Sequence, residues 1–330
     1  MNRSGKHWWH LRNEELTTLA QNQAPFYVYN EETLNEIFFD LSAMDALSGL
    51  FYPYHLNFHQ QILRKAFELD ACFRCNSLLE VARLKELFPK LAPGRIFLLS
   101  DHEHRKDCEA ALHQGLHVAV RADNHGAVIC PDSRFLSLCS QDEKISLFKT
   151  LSSQFPDIST LVLGNGANEE SSAHMNGMDL TEIENYLEAI HDACPQFELR
   201  LELPAHLVSY AGALLVEALE GGIAEGVHFI RTHLPMEDAL FHEIHGTAHQ
   251  VVNLSRPDEE RIILTRMTRQ RKHAENGMVY LKNPCPVEKG DILLLTHAGT
   301  YGPETRVNEE GRNGLPEWYL KARCLCPVKL

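Results

Sequence analysis

The stretch Gly49–Asp70, GLFYPYHLNFHQQILRKAFELD, joins a short aromatic-rich apolar run to a segment of helical periodicity, with a histidine, His55, at the junction. An apolar run of this length followed by an i, i+3, i+4 pattern reads as a buried strand feeding an amphipathic helix. The same unit recurs on both sides. PFYVYN (25–30) leads into EETLNEIFFDLSAMDAL, DACFRCNS (70–77) into LLEVARLKELF, and GRIFLLSDHE (94–103) into HRKDCEAALHQG, with GLHVAVRADN (115–124) continuing the series. The rhythm weakens between about 125 and 160, then resumes with STLVLGNGANEE (159–170), DLTEIENYLEAIHDAC (179–194) and FELRLEL (197–203), for seven candidate parallel strands. Alternation of strand and helix at this spacing requires a parallel sheet with helical crossovers, doubly wound or closed into a barrel. Side chains at the carboxyl ends of such strands face the ligand, which makes His55 a candidate functional residue.

Two helix starts are visible. Ser77-x-x-Glu80 has the pattern of a capping box, and Ser100-Asp101 precedes the next helix in a capping role. After about Pro204 the character changes to β-rich segments such as RIILTRMT, GMVYLK and GDILLLTHAGTYG, with turns at Asn276-Gly277 and Lys289-Gly290. The pattern separates an α/β domain over 25–204, doubly wound or barrel, from a mainly antiparallel β domain over 205–330; residues 1–24 are expected to pack on the latter.

The charge balance excludes one class of partner. With 31 Lys and Arg against 45 Asp and Glu, the net charge is −14, and no basic run offers the face that nucleic acid requires. No window approaches 18 uninterrupted apolar residues, and the start, MNRSGKHWWHLRNEEL, lacks the apolar core of a signal peptide. A cytoplasmic chain with no membrane partner is the expectation. The nine cysteines are an odd number scattered through apolar segments, as reduced core thiols are. Cys72-x-x-Cys75 and Cys324-x-Cys326 have partial metal spacing without the second pair of a zinc ribbon.

Seven strings taken in order carry a family resemblance: HWWHLRNEEL, PFYVYNEETL, GLFYPYHLNFHQQIL, LVLGNG, LRLELPAHLVSYAGALL, HQVVNLSRP and GDILLLTHAGTYG. Over nearly its whole length the chain resembles the diaminopimelate decarboxylases, and among them the decarboxylase half of the bifunctional aspartokinase/diaminopimelate decarboxylase type. The resemblance implies a (β/α) barrel of the alanine-racemase/decarboxylase type carrying pyridoxal phosphate (PLP), a C-terminal β domain, and a homodimer with shared active sites. Family members are longer, and the shortfall maps to the sparse stretch after Asn124, so the barrel is expected to be incomplete by at least one β/α unit.

The resemblance also assigns site positions. The family's cofactor lysine follows the pattern Tyr-x-x-Lys-x-Asn. Here Tyr52-Pro53-Tyr54-His55-Leu56-Asn57 keeps the tyrosine and asparagine and puts His55 at the lysine position. Imidazole does not form the stable imine that a primary amine forms with an aldehyde. Lys65 and Lys85 lie within helical patterns and Lys106 in the first turns of another. The phosphate cradle corresponds to Gly164-Asn165-Gly166, where backbone N–H groups would hold an anion. The acid for the pyridine nitrogen corresponds to Glu202, followed by Leu203-Pro204-Ala205-His206, with Ala205 in place of an arginine. In the β domain, His297-Ala298-Gly299-Thr300-Tyr301-Gly302 keeps Tyr301 for the cofactor phosphate. The family's Cys-Glu pair has no counterpart in IILTRMTRQRKH, its substrate arginine maps to about Phe241, and its ring-stacking histidine is absent from RFLSLCSQ.

These losses fall on groups that act on cofactor or substrate. The expectation is a diaminopimelate-decarboxylase-like protein without normal PLP-dependent decarboxylation and without covalent cofactor, holding a binding or regulatory role toward a small amino-acid-like ligand. Two alternatives stay open. One is residual or altered PLP-dependent amino-acid decarboxylation, which in the family converts meso-diaminopimelate to lysine. The other is a metal site drawn from His55, His206, His233 and His297, four of the 19 histidines.

Overall fold

The five side chains of FYVYN, Phe26–Asn30, are all buried, as befits a strand with neighbours at both edges and cover on both faces. The structure is a computed structural model describing residues 7–99, 113–121, 128–130, 146, 149, 160–163, 180–203, 205–224, 227–232, 250–256, 263–264, 278–281, 287–300, 315–322 and 324–327. The chain divides into two compact units, Met1–Glu36 with His206–Leu330, and Ile37–Ala205.

The first unit begins with helix α1 (Asn13–Gln23), whose first turn carries Glu14 and Glu15, the charge that a helix N-terminus favours. Its buried face, Leu16 and Ala20, joins Trp8, Trp9, Phe26, Val28, Leu215 and Leu294 in one apolar cluster. Strand β1 (Phe26–Asn30) follows, and helix α2 (Glu31–Ser42) starts at once because the Asn30 Oδ1 accepts the Thr33 N–H at 2.7 Å. The division between units falls within α2.

The second unit holds strands β2 (Gly49–Pro53), β3 (Cys72–Cys75), β4 (Ile96–Leu99), β5 (His117–Arg121), β6 (Val128–Cys130), β7 (Thr160–Leu163) and β8 (Glu198–Glu202). Each pairs in parallel with the next, and β8 pairs in parallel with β2, so seven strands close a ring. The barrel is one strand short of eight and closes nonetheless. Helices α3 (Gln60–Glu68), α4 (Leu78–Leu87) and α5 (Leu180–Ala193) belong to its crossovers. Helix α4 starts where Ser77 Oγ accepts the Glu80 N–H at 3.3 Å; the reciprocal bond reaches one residue further back, from the Asn76 N–H to Glu80 Oε2 at 2.7 Å.

The sequence reading places PFYVYN at the head of the barrel series, and the structure corrects this. Strand β1 pairs antiparallel with β9 (Gly212–Ala224) and parallel with β15 (Glu317–Lys321), in the other unit. A short apolar run buried on both faces has the same composition in either sheet, so the pattern does not say which one recruits it. Conversely, Val128–Cys130, from the stretch where the rhythm weakens, takes a place in the ring.

After α6 (Ala205–Ser209), the first unit resumes with β9, β10 (Val227–Thr232), β11 (Gln250–Asn253), β12 (Ile263–Leu264), β13 (Met278–Leu281), β14 (Ile292–Thr296), β15 and β16 (Cys324–Pro327). Sheet order is β12-β11-β14-β9-β1-β15-β16, with β10 joining β9 to β13; among the described residues only the β1–β15 pairing in this sheet is parallel. The sheet is closely packed where β9 begins. The Ala298 N–H donates to the Gly212 carbonyl and the Gly299 N–H to the Ser209 carbonyl, and a Cβ on Gly299 would overlap the Val208 carbonyl oxygen. Gly299→Ala is therefore expected to destabilise the protein by about 2 kcal/mol, the scale of overpacking a filled site, as read from the midpoint of urea unfolding.

Candidate functional site

Alternation along the ring strands sorts their side chains into two sets. Leu50, Tyr52, Phe73, Cys75, Ile96, Leu98, Leu161, Leu163, Leu199 and Leu201 are buried, as expected of the face beneath the crossover helices. Phe51, Cys72, Phe97 and Val162 form a separate cluster. They come from β2, β3, β4 and β7, so they meet inside the ring. Arg200 of β8 joins this layer, its guanidinium carbon 5.9 Å from the centre of the Phe51 ring and its Nη1 donating to the Cys72 Sγ at 3.0 Å.

Two residues nearer the carboxyl ends lie Arg74 of β3 and Glu202 of β8, both buried, with Arg74 Nε 2.9 Å from Glu202 Oε2 in an ion contact without hydrogen-bond alignment. Isolated charges are too costly to hold inside a barrel, so each requires the other. Burial pushes the Glu202 carboxyl up and the Arg74 guanidinium pulls it back. The rest of the guanidinium is also engaged. Nη1 donates to Asn76 Oδ1 at 3.3 Å, and Nη2 lies 3.3 Å from His55 Nε2. His55 Nδ1 in turn lies 3.3 Å from the Asn76 Nδ2. The result is one network of Glu202, Arg74, His55 and Asn76, running from the buried ion pair to the exposed Asn76.

Local bonds fix the loop that carries His55, which sits in a single 3-10 turn, Tyr54–Leu56, directly after β2. The Tyr52 hydroxyl donates to the Asn57 carbonyl at 2.7 Å, and Asn57 Oδ1 accepts the His59 N–H at 2.8 Å. His59 then caps α3, its Nδ1 accepting the Gln61 N–H at 3.2 Å. The two residues that flank His55 in the sequence pattern thus hold its backbone. Asn76 is placed in the same manner by the bond from its N–H to Glu80.

The other expected site residues are distributed as follows. His297 lies in the β unit, buried, with φ of 57° and its ring 4.4 Å from that of Tyr210. His206 is in α6, its side chain outside the described residues. Gly164, Asn165, Gly166, His233, Phe241 and Tyr301 also lie outside the described residues, as do Ser100-Asp101, Lys106 and the turn at Asn276-Gly277. Among the described residues no three His, Cys, Asp or Glu side chains gather to hold a metal ion. The Cys72-x-x-Cys75 spacing spans a strand whose first cysteine joins the interior layer and whose second lies on the opposite face, so the two cannot share an ion. Cys324 and Cys326 are exposed free thiols on β16.

The sequence reading missed Arg74 and Asn76. The signal was present: an arginine inside the four-residue strand CFRC must be buried, and a buried arginine needs a carboxylate on a neighbouring strand.

No family model matches the sequence, and no curated protein matches it. Solved structures do. Lysine decarboxylase from Selenomonas ruminantium is 14% identical and aligns over 94% of this chain and 96% of its own, with a TM-score of 0.71. Diaminopimelate decarboxylase from M. jannaschii, solved in co-complex with L-lysine, gives 14% identity, 94% and 91% coverage and a TM-score of 0.70. The arginine decarboxylase of Paramecium bursaria Chlorella virus gives 14%, 93% and 99%, and 0.65. The chain has the fold of the diaminopimelate decarboxylases and the related arginine and lysine decarboxylases.

Burial holds the His59 pKa at about 4, against 6.5 for an exposed histidine. Folding therefore favours the neutral ring. The associated stability is fully present above pH 6.5 and is lost as the pH falls toward 4, by roughly 3 kcal/mol in all. Half-buried Glu80 and buried Glu202, with carboxyls pushed up, act in the opposite sense. His59→Gln leaves those terms unchanged, so the urea-derived stability difference between the natural protein and this variant is expected to shift in the variant's favour between pH 7.5 and pH 4.5.

Proposed function

We propose that this chain is a decarboxylase-fold protein that does not carry out PLP-dependent decarboxylation, and that its barrel mouth serves a binding or regulatory role. The observation that carries the reading is the network of Glu202, Arg74, His55 and Asn76 at the carboxyl ends of β2, β3 and β8. A lysine-bound cofactor needs a primary amine there. None of the seven ring strands contains a lysine, and among the described residues of the barrel unit Lys65, Lys85 and Lys149 are helical, the first two paired with Glu68 and Gln114, while Lys90 lies in the turn after α4. His55 stands at the end of β2 with both ring nitrogens within 3.3 Å of neighbouring side chains.

The donor set argues against the cofactor at a second point. Glu202, which the resemblance matches to the acid for the pyridine nitrogen, has its carboxylate 2.9 Å from Arg74 Nε. A pyridine N–H would have to displace the guanidinium from that contact. The residues present do not fit a Schiff-base-bound PLP, and no step is drawn through it. What the chain's own residues do is different: Arg74 and Glu202 neutralise one another inside the ring, Tyr52 and Asn57 hold the loop, and His55 with Asn76 forms the polar rim. A small amino-acid-like ligand belongs to this reading, supported by the L-lysine complex of the M. jannaschii enzyme; homodimeric assembly belongs to it on the family resemblance alone.

Adding one equivalent of PLP to the purified protein is expected to give no aldimine band near the visible edge, and meso-diaminopimelate plus PLP is expected to release no carbon dioxide. A stoichiometric band or steady carbon dioxide release would overturn the proposal.

A further inference from the structure

Among the described residues Cys72, Cys75 and Cys194 are buried thiols, and only Cys324 and Cys326 are exposed. The exposed pair sits at i and i+2 on β16, the last strand of its sheet, which among the described residues pairs only with β15. Side chains alternate between the faces of a strand. Leu325, between the two cysteines, packs with Trp318 against the apolar cluster of α1, so both thiols stand together on the other face. The register sets Lys321 of β15 opposite Cys324 and Tyr319 opposite Cys326 on that same face. The hairpin that carries them is anchored at its tip, where Ala322 takes a φ of 52° and its carbonyl accepts from Arg12 Nη2.

Spacing decides what the pair can do. Two residues along a strand separate equivalent atoms by roughly 6.6 Å, whereas a disulfide needs its Cβ atoms at about 3.5–4.5 Å. Cys324 and Cys326 therefore cannot close a disulfide with each other while β16 keeps its pairing. A bridging ion adds two metal–sulfur bonds to the span, each on the order of 2.3 Å, and thiols turned toward one another then meet it. Cys326 is already turned that way, its Sγ 4.0 Å from the Cys324 carbonyl oxygen. Coordination number then selects the ion. A closed zinc site takes four ligands, and among the described residues no third His, Cys, Asp or Glu joins the pair. Cu(I) is soft, prefers thiolates, and is satisfied by two of them.

We infer that Cys324 and Cys326 form a two-coordinate site for one Cu(I) ion on the exposed face of β16. Binding breaks two S–H bonds and forms two S–Cu(I) bonds; both protons pass to solvent and no electron moves. The resulting unit carries one net negative charge, which Lys321 offsets from the neighbouring strand, its Nζ also lying 4.0 Å from Glu31 Oε1. The site belongs to the β unit and is independent of the role proposed for the barrel mouth.

The test uses the full chain in anaerobic, thiol-free buffer, with ascorbate holding copper as Cu(I) and bicinchoninate as the coloured competitor. Because the chain has nine cysteines, the site is read as a difference between variants. The natural chain is expected to withdraw one equivalent more Cu(I) from bicinchoninate than the double variant Cys324→Ser, Cys326→Ser. Each single serine variant is expected to weaken that equivalent at least about tenfold, the cost of losing even an outer partner of a metal ligand. Lys321→Gln is expected to weaken it about threefold, the scale of an exposed charge contact. The pair Cys326→Ser with Pro327→Cys keeps two thiols but turns them to opposite faces, and is expected to lose the equivalent as well. Equal uptake by the natural chain and the double serine variant, or retention of the equivalent after the move to residue 327, would overturn the inference. So would one zinc ion held per two chains, which assigns four thiolates between copies, or a Cys324–Cys326 disulfide found by peptide mass mapping after diamide treatment.

Discussion

The barrel unit depends on one ion pair. Arg74 and Glu202 lie on β3 and β8, which are not neighbours: β2 lies between them and pairs with both. The pair therefore bridges the first two strands of the ring and its last, across the seam where seven strands close. Beneath it, Phe51, Cys72, Phe97 and Val162 fill the interior, each large apolar side chain contributing about 1.5–3 kcal/mol on burial. That layer favours closure of any suitable sheet. The charged layer above it specifies which strands meet, because breaking a buried pair costs about 3–5 kcal/mol.

The same pair sets what the barrel mouth can do. Fold alone does not choose a reaction, and the three neighbouring structures are named for lysine, diaminopimelate and arginine decarboxylases at the same 14% identity. The chemistry of this chain must be read from its own side chains. Among the described residues at the ring's carboxyl end these are a guanidinium bound to a carboxylate, an imidazole and an amide, a set that positions and recognises polar groups.

Much of the architecture was legible in the sequence. The coupling of short apolar runs to helical segments identified β2, β3, β4, β5, β7 and β8 and the change to an antiparallel β domain after Pro204. The allocation of PFYVYN was not legible, because burial on both faces leaves the same apolar signature in a barrel strand and in the centre of an open sheet. Within the site, His55 and Glu202 were found through their flanking residues. Arg74 and Asn76 were not, since they have meaning only through contacts that closure of the ring creates: residue 202 reaches residue 74 across β2, and residue 76 reaches residue 55 from the start of a different crossover. Tyr52 and Asn57, quoted for their pattern, prove to act on the backbone of the loop between them.

A double-mutant cycle on the ion pair tests the account most directly. Arg74→Met and Glu202→Leu are made singly and together, and stability is measured by urea unfolding. The account predicts that each single change costs several kcal/mol by stranding a charge inside the ring, whereas the double variant loses far less than the sum, with a coupling of about 2 kcal/mol or more. Additive losses would contradict it, since the two side chains would then contribute independently and the barrel would not be organised around their contact.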